Sequence, residues 1–140
     1  MLIARTFFEE LAVSLDRYVT YLVRYNTPDK KGSSQKDHLL KFRQQLEKTG
    51  KSKEELDEQF AELIEPEVPL AGRSVLMMFM ELSSARQSGF NGLLPISYLE
   101  LQAYADVTDI RFEPWEVDLI KVMDRAFLEA VAELVNKEKS

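Results

Sequence analysis

The sequence predicts an all-α protein of about six helices, and three observations lead to this fold class. Glycine and proline are scarce and clustered, apolar residues between the clusters recur at steps of three and four, and no run of alternating polar and apolar residues predicts a strand. A chain of 140 residues can bury a core without a disulfide or a metal. We expect an N-terminal helical part over residues 1–70 and a C-terminal three-helix unit over residues 71–140.

The N-terminal part begins with one long predicted helix, about Leu2 to Tyr25. Its apolar stripe is wide, which predicts burial on more than one side. The stripe consists of Phe7, Leu11, Leu15, Tyr18, Leu22 and Tyr25, widened by Phe8, Ala12, Val19 and Val23. We expect this helix to pack on the C-terminal unit or to exchange with a second copy, which makes a homo-oligomer plausible.

A polar loop and two shorter helices follow, over about residues 35–48 and from Ser52 to Pro66. Ser52 and Glu55 have the spacing of a capping box. Residues 30–53 carry eight basic and two acidic side chains, whereas residues 54–67 carry seven acidic and no basic ones. The two segments either pair as an antiparallel hairpin through these charges or present two solvated faces that pair weakly.

The C-terminal unit begins with a helix over about residues 71–87 that is apolar nearly all round, so we expect it to be central. A glycine turn over residues 89–92 follows, and a second capping box, Ser97 to Glu100, opens the fifth helix. Pro114 and the neighbouring acids open the sixth helix. The residues expected to face inward on these two helices are Leu101, Tyr104, Ala105, Val107, Leu119, Met123, Ala126, Phe127, Ala130 and Leu134, and residues 137–140 are expected to fray.

Composition excludes several classes of function. The chain has no cysteine and one histidine, His38, so no thiol nucleophile, cysteine-ligated metal or histidine-paired zinc site is possible. No phosphate-binding glycine loop and no nucleophile-elbow motif is present. We therefore predict no catalytic residue, no cofactor and no metal site. A net charge of −6 disfavours nucleic acid as a partner, and the longest apolar run, Val75 to Met80, is too short to span a membrane.

The second half contains an ordered series of short motifs. They lie at residues 80–86 (MELSSAR), 89–92 (GFNG), 95–101 (PISYLEL), 115–117 (WEV) and 123–128 (MDRAFL). Over about residues 75–130 the series resembles small proteins encoded among the tail genes of long-tailed bacteriophages, in particular the tail assembly chaperones.

The resemblance implies a function without a cofactor or a reaction. Such a chaperone binds the tape-measure protein in the host cytoplasm, keeps its apolar helices soluble, helps to recruit tail tube proteins and is absent from the finished tail. Two other functions stay open from the sequence. One is a structural head–tail or tail-tip adaptor of the virion, and the other is a small DNA-binding regulator, which Glu113, Glu116 and Asp118 disfavour because they would lie against phosphates.

Seven residues are candidates for partner binding or carry the family pattern: Met77, Met80, Arg86, Trp115, Asp124, Arg125 and Phe127. The methionines are either core residues or part of a soft groove for partner helices. The three charged residues either contact a partner or form an internal ion pair or helix cap that joins the fourth and sixth helices. Trp115 either packs in the core under the glycine turn or forms an interface hot spot.

Overall fold

A computed structural model describes residues 2–139, with side chains from residue 6 onward, and it confirms the all-α class. The described residues form six α-helices: α1 (Leu2–Asn26), α2 (Gln35–Glu47), α3 (Lys53–Gln59), α4 (Arg73–Ser84), α5 (Tyr98–Thr108) and α6 (Pro114–Lys139). Short 3₁₀ turns lie at Ala61–Leu63 and Leu70–Gly72. A two-stranded ribbon with two residues in each strand, β1 (Ser88–Gly89) and β2 (Gly92–Leu93), lies where the sequence predicts only a turn.

The core lies between α1 and α6, which pack along each other, and α4 packs against α6 beside them. From α1 it takes Leu11, Leu15 and Val19, which belong to the predicted stripe, whereas Phe7 at the outer end of that stripe is exposed. From the other helices and the segment before α5 it takes Val75, Met78, Phe79, Leu82, Ile96, Leu101, Leu119, Ile120, Met123 and Ala126. The division of the chain at residue 70 stays a prediction.

Gly72 sets how closely α1 approaches the turn before α4. A Cβ atom at this position would lie 2.8 Å from Cδ1 of Leu11 and 3.3 Å from Cδ2 of Leu15. Both leucines are buried, so neither side chain can move toward solvent. The backbone of Gly72 is right-handed, with φ −94° and ψ −9°, a conformation open to any L-residue. The requirement for glycine is therefore one of space rather than of backbone angle.

Helices α2 and α3 form a hairpin on the surface. The Arg43 guanidinium lies 2.6 Å from the Asp57 carboxylate, and the rings of Phe42 and Phe60 meet edge to face with centroids 5.9 Å apart. The two oppositely charged segments thus pair through this ion pair and an aromatic contact. Ser34 and Asp37 form a complete capping box before α2. Ser52 accepts a hydrogen bond from the Glu55 amide, but the reciprocal half of its predicted box is not formed.

Three expectations about burial and helix ends are wrong. Helix α4 buries one face, with Val75, Met78, Phe79 and Leu82, but exposes Met77 and Met80, because it lies at the edge of the core. Val107 is exposed, since it sits on the last turn of α5 beyond the core. Helix α6 continues through Lys139 instead of fraying at residue 137, and lysines in its last turn suit the helix dipole. Ser140 lies outside the described residues.

A buried ion pair joins four parts of the C-terminal half. Nη2 of Arg86 lies 2.6 Å from Oδ1 of Asp124, with side chains 3% and 9% exposed. Oδ2 of Asp124 accepts a hydrogen bond of 3.0 Å from the Ile96 amide, just before α5. Arg86 donates a bond of 3.0 Å to the Leu94 carbonyl after β2, and another to the Ser83 hydroxyl in α4. The internal ion pair expected from the sequence therefore forms between Arg86 and Asp124.

Replacing Asp124 by asparagine should lower the free energy of unfolding by about 3–5 kcal/mol, because Arg86 would keep a buried charge without its counter-charge. Urea denaturation followed by circular dichroism measures the change. The matched control is Asp118→Asn, an exposed carboxylate on the same helix, which should change stability little. Equal stabilities for the two variants would contradict the assigned role of the ion pair.

Gly72→Ala should lower the free energy of unfolding by about 1–3 kcal/mol, because the added methyl group would overpack the space that the Leu11 side chain occupies. Thermal denaturation measures the shift. In a Leu11→Ala background the same substitution should cost clearly less, since the space is then vacant. An equal cost in both backgrounds would show that Gly72 acts through its backbone and not through this contact.

Arg43→Glu should lower stability by about 0.2–1 kcal/mol, and more at low salt than at high salt, because it places two acids together between α2 and α3. The double variant Arg43→Glu with Asp57→Lys should restore part of the loss. Lys48→Glu changes charge equally in the same basic segment and serves as the control. If melting temperatures show no dependence on salt, the charged segments do not pair in solution.

Candidate functional site

Three of the seven candidate residues come together in space. Arg86 and Asp124 form the buried ion pair, and the Arg86 guanidinium also lies over the Phe127 ring, 4.5 Å from its centroid. The Phe127 ring meets Phe79 edge to face at 6.4 Å. Arg86 thus neutralises Asp124 with one edge and covers Phe127 with its face, a geometry available to a planar guanidinium and not to an ammonium group.

An apolar groove opens beside Phe127, between the end of α1, α4 and α6. We call it the α1–α4 groove, and its volume is about 450 Å³. Its lining carries no charged side chain and consists of Val19, Leu22, Val23, Asn26, Thr27, Pro28, Phe79, Met80, Ser83, Ser84 and Phe127. Met80 is 48% exposed at its edge. A concave, uncharged surface with a flexible thioether at its rim is suited to receive apolar side chains of a partner helix.

Met77 lies on the other side of α4, in a cleft shared with α5. Arg73, Glu81 and Tyr104 also line this cleft, so it is more polar than the α1–α4 groove. The Tyr104 hydroxyl donates a hydrogen bond of 2.5 Å to the Glu81 carboxylate. Burial, followed by this bond and the charge of Glu81, raises the pKa of Tyr104 to about 12. Both methionines of the candidate set are therefore exposed rather than core residues.

Trp115 is not buried under the glycine turn. It stands in the first turn of α6, 43% exposed, and lines an apolar cleft with Phe7, Phe8 and Leu11 at the start of α1. The first turn of α6 lies against α1, so the indole packs there. The core interpretation of Trp115 is wrong, and an interface role stays a prediction.

Arg125 takes no part in the buried ion pair and is exposed on α6. It lies one turn after Lys121, whose ammonium group stands 3.9 Å from the centroid of the Tyr98 ring. Residues four apart share a helix face, so Arg125 lies on the same face of α6 as Lys121. The sequence groups Arg125 with Arg86 and Asp124, but the structure separates it from them.

The titratable groups show no arrangement for acid–base chemistry among residues 6–139. His38 bonds to Asp29 at 3.1 Å on the surface, and this bond is the main cause that lowers the pKa of Asp29. The amide and hydroxyl of Ser34 lower the pKa of Asp37. A lowered carboxyl pKa makes a weaker base, and a raised tyrosine pKa keeps the phenol protonated at neutral pH. The described residues contain no group of three or more acids or histidines that could hold a metal ion.

Exposed apolar residues around the ribbon were missed in the sequence. Phe90 is fully exposed at the tip of the turn, and Leu93, Leu94, Tyr98 and Leu99 are exposed beside it. One signal could have revealed them, because residues 87–99 contain no charged side chain although 30% of the chain is charged. Capping and turn signals explain the backbone of this segment, but they leave its apolar side chains unexplained.

Comparison with known proteins supplies the family. The sequence model of a family described as phage tail assembly chaperone matches residues 48–129, from the end of α2 to the middle of α6. The match includes the ion pair and begins earlier in the chain than the resemblance at about residues 75–130. No curated protein and no solved structure matches the chain. No helix in residues 2–139 is long and apolar enough to cross a membrane. The match spans more than half of the sequence, and the chain belongs to the phage tail assembly chaperone family.

Proposed function

We propose that this protein is a non-catalytic assembly chaperone that acts in the host cytoplasm, binds the tape-measure protein of the phage and assists assembly of the tail tube. Membership of the chaperone family is the observation that carries this proposal. Tail tube proteins are its second expected partners. The proposal requires no cofactor, and self-association stays a prediction.

We assign the tape-measure protein to the α1–α4 groove. The groove has an uncharged, largely apolar lining that includes two of the candidate residues, Met80 and Phe127. Helix-in-groove binding uses apolar side chains at steps of three and four, and such a helix would bury its apolar face between α1 and α4. The absence of charge in the groove lining means that no ionic group must lose its water when the helix binds.

The net charge of −6 supports a role in keeping a client soluble. Mutual repulsion between like-charged complexes opposes their aggregation while the client's apolar face is covered. The charge lies outside the groove, so solubility and client binding depend on different surfaces.

Met80→Ser should weaken binding to the purified tape-measure protein of the same phage by about tenfold, because one exposed thioether is lost from the groove. Val135→Ser removes a similarly exposed apolar side chain on α6 away from the groove and should leave affinity unchanged. Co-elution in size-exclusion chromatography and titration calorimetry measure the binding. Equal affinities for both variants would exclude the groove as the site.

Purified virions distinguish the chaperone from a structural adaptor. A chaperone should be retained on its client during assembly and missing from mass spectra of finished particles. Recovery of the chain in stoichiometric amounts from virions would contradict the proposal and identify a structural component.

A further inference from the structure

Residues 87–99 form an exposed and uncharged segment that the proposed function does not use. We call it the ribbon platform; it comprises β1, β2 and the residues that lead into the first turn of α5. Its exposed apolar side chains are Phe90, Leu93, Leu94, Tyr98 and Leu99. Exposed apolar residues scattered singly need no explanation, but five of them within the ten residues 90–99 are denser than scatter and indicate an interaction surface.

The backbone of the ribbon platform is fixed from beneath by buried charges. Asp124 accepts from the Ile96 amide and Arg86 donates to the Leu94 carbonyl, each at 3.0 Å. Gly89 packs directly under Leu94, because a Cβ atom there would lie 3.0 Å from the leucine Cδ2. Gly92 has φ +115°, which glycine adopts at little cost, and it closes the turn. The buried ion pair therefore fixes the backbone of a segment whose own apolar side chains are exposed.

Such rigidity favours binding. A surface that is already ordered loses little conformational entropy when a partner docks, so more of its contact energy appears as affinity. A flexible apolar loop would instead tend to collapse onto the core. The combination of a fixed backbone and exposed apolar side chains is thus expected of a preformed docking surface.

The charges beside the platform indicate the chemistry of the partner. Lys121 covers the Tyr98 ring, and Arg125 follows one turn later on the same face of α6. Of the nearby acids, Asp124 is buried in the ion pair and Glu100 is bonded to Ser97, while Asp118 lies on the turn before Lys121. Lys121 and Arg125 therefore give this edge of α6, the basic rim, two cations in a protein whose net charge is −6, while Glu129, one turn after Arg125, lines the cleft between α1 and α6.

We propose that the ribbon platform is a docking surface, separate from the α1–α4 groove, for an amphipathic segment whose apolar side chains are flanked by carboxylates. The apolar side chains would cover Phe90 and Leu99, and the carboxylates would pair with Lys121 and Arg125. A second copy of this chain fits less well, because a two-fold contact would pair the platform with itself, and residues 87–99 supply no carboxylate for the basic rim. This proposal does not depend on which protein occupies the groove.

Two synthetic helical peptides test it. Both carry leucines at steps of three and four, and the flanking positions are glutamate in one and lysine in the other. Fluorescence anisotropy of labelled peptide against the full chain should give a dissociation constant at least about tenfold lower for the glutamate peptide, with the difference shrinking at high salt. Equal constants for the two peptides would overturn the charge assignment.

Variants then locate the site. Phe90→Ser with Leu99→Ser should weaken binding of the glutamate peptide by about tenfold or more. Arg125→Glu should reduce the preference for the glutamate peptide over the lysine peptide. Ile64→Ser with Val107→Ser removes two similarly exposed apolar side chains elsewhere and should have no effect. If the control pair weakens binding equally, or if Met80→Ser abolishes it, the platform is not the site. Analytical ultracentrifugation tests for a dimer. If the unchanged chain forms a dimer and the Phe90→Ser with Leu99→Ser variant is monomeric, a second copy is the occupant and the proposal is overturned.

Discussion

The ion pair between Arg86 and Asp124 is the interaction on which the C-terminal half depends. Its two side chains join α4, α6, the residue after β2 and Ile96, two residues before α5. Burying two charges costs more than a surface pair, and the cost is offset only when both groups are also hydrogen-bonded. Here the carboxylate accepts a hydrogen bond from a backbone amide, and the guanidinium donates to a carbonyl and a hydroxyl, while its buried Nε has no hydrogen-bond partner among the described residues. One polar contact therefore fixes the ribbon and the start of α5 relative to α6, and Phe127 stacks against its outer side.

Sequence patterns predicted most of the fold because the signals are local. The Ser97 to Glu100 box, Pro114 at the start of α6 and the stripe from Leu119 to Ala130 depend only on spacing within one helix. The Arg86–Asp124 pair was also predicted, as an ion pair between the fourth and sixth helices, but Arg125 was grouped with it. The spacing of residues along one helix does not show which neighbouring element covers a given face of that helix.

The candidate site was predicted less completely for that reason. Met77, Met80 and Trp115 are apolar residues on helices that do have a buried face, so an apolar pattern alone places them inside. They are exposed because α4 and the start of α6 lie at the edge of the core. The platform residues were missed for a different reason. Turn and capping signals already explain the backbone of this segment, so its lack of charged side chains drew no separate prediction.

The family match does not cover every element that forms the two proposed binding surfaces. The match begins at residue 48, yet Val19, Leu22 and Val23 of α1 form one wall of the α1–α4 groove. The ribbon platform, its basic rim and the ion pair beneath it lie wholly within the matched segment. The platform is built only from matched residues, whereas the groove also needs α1, which lies outside the match. The structure thus separates a surface built from the family's own segment from one that this chain completes with its first helix.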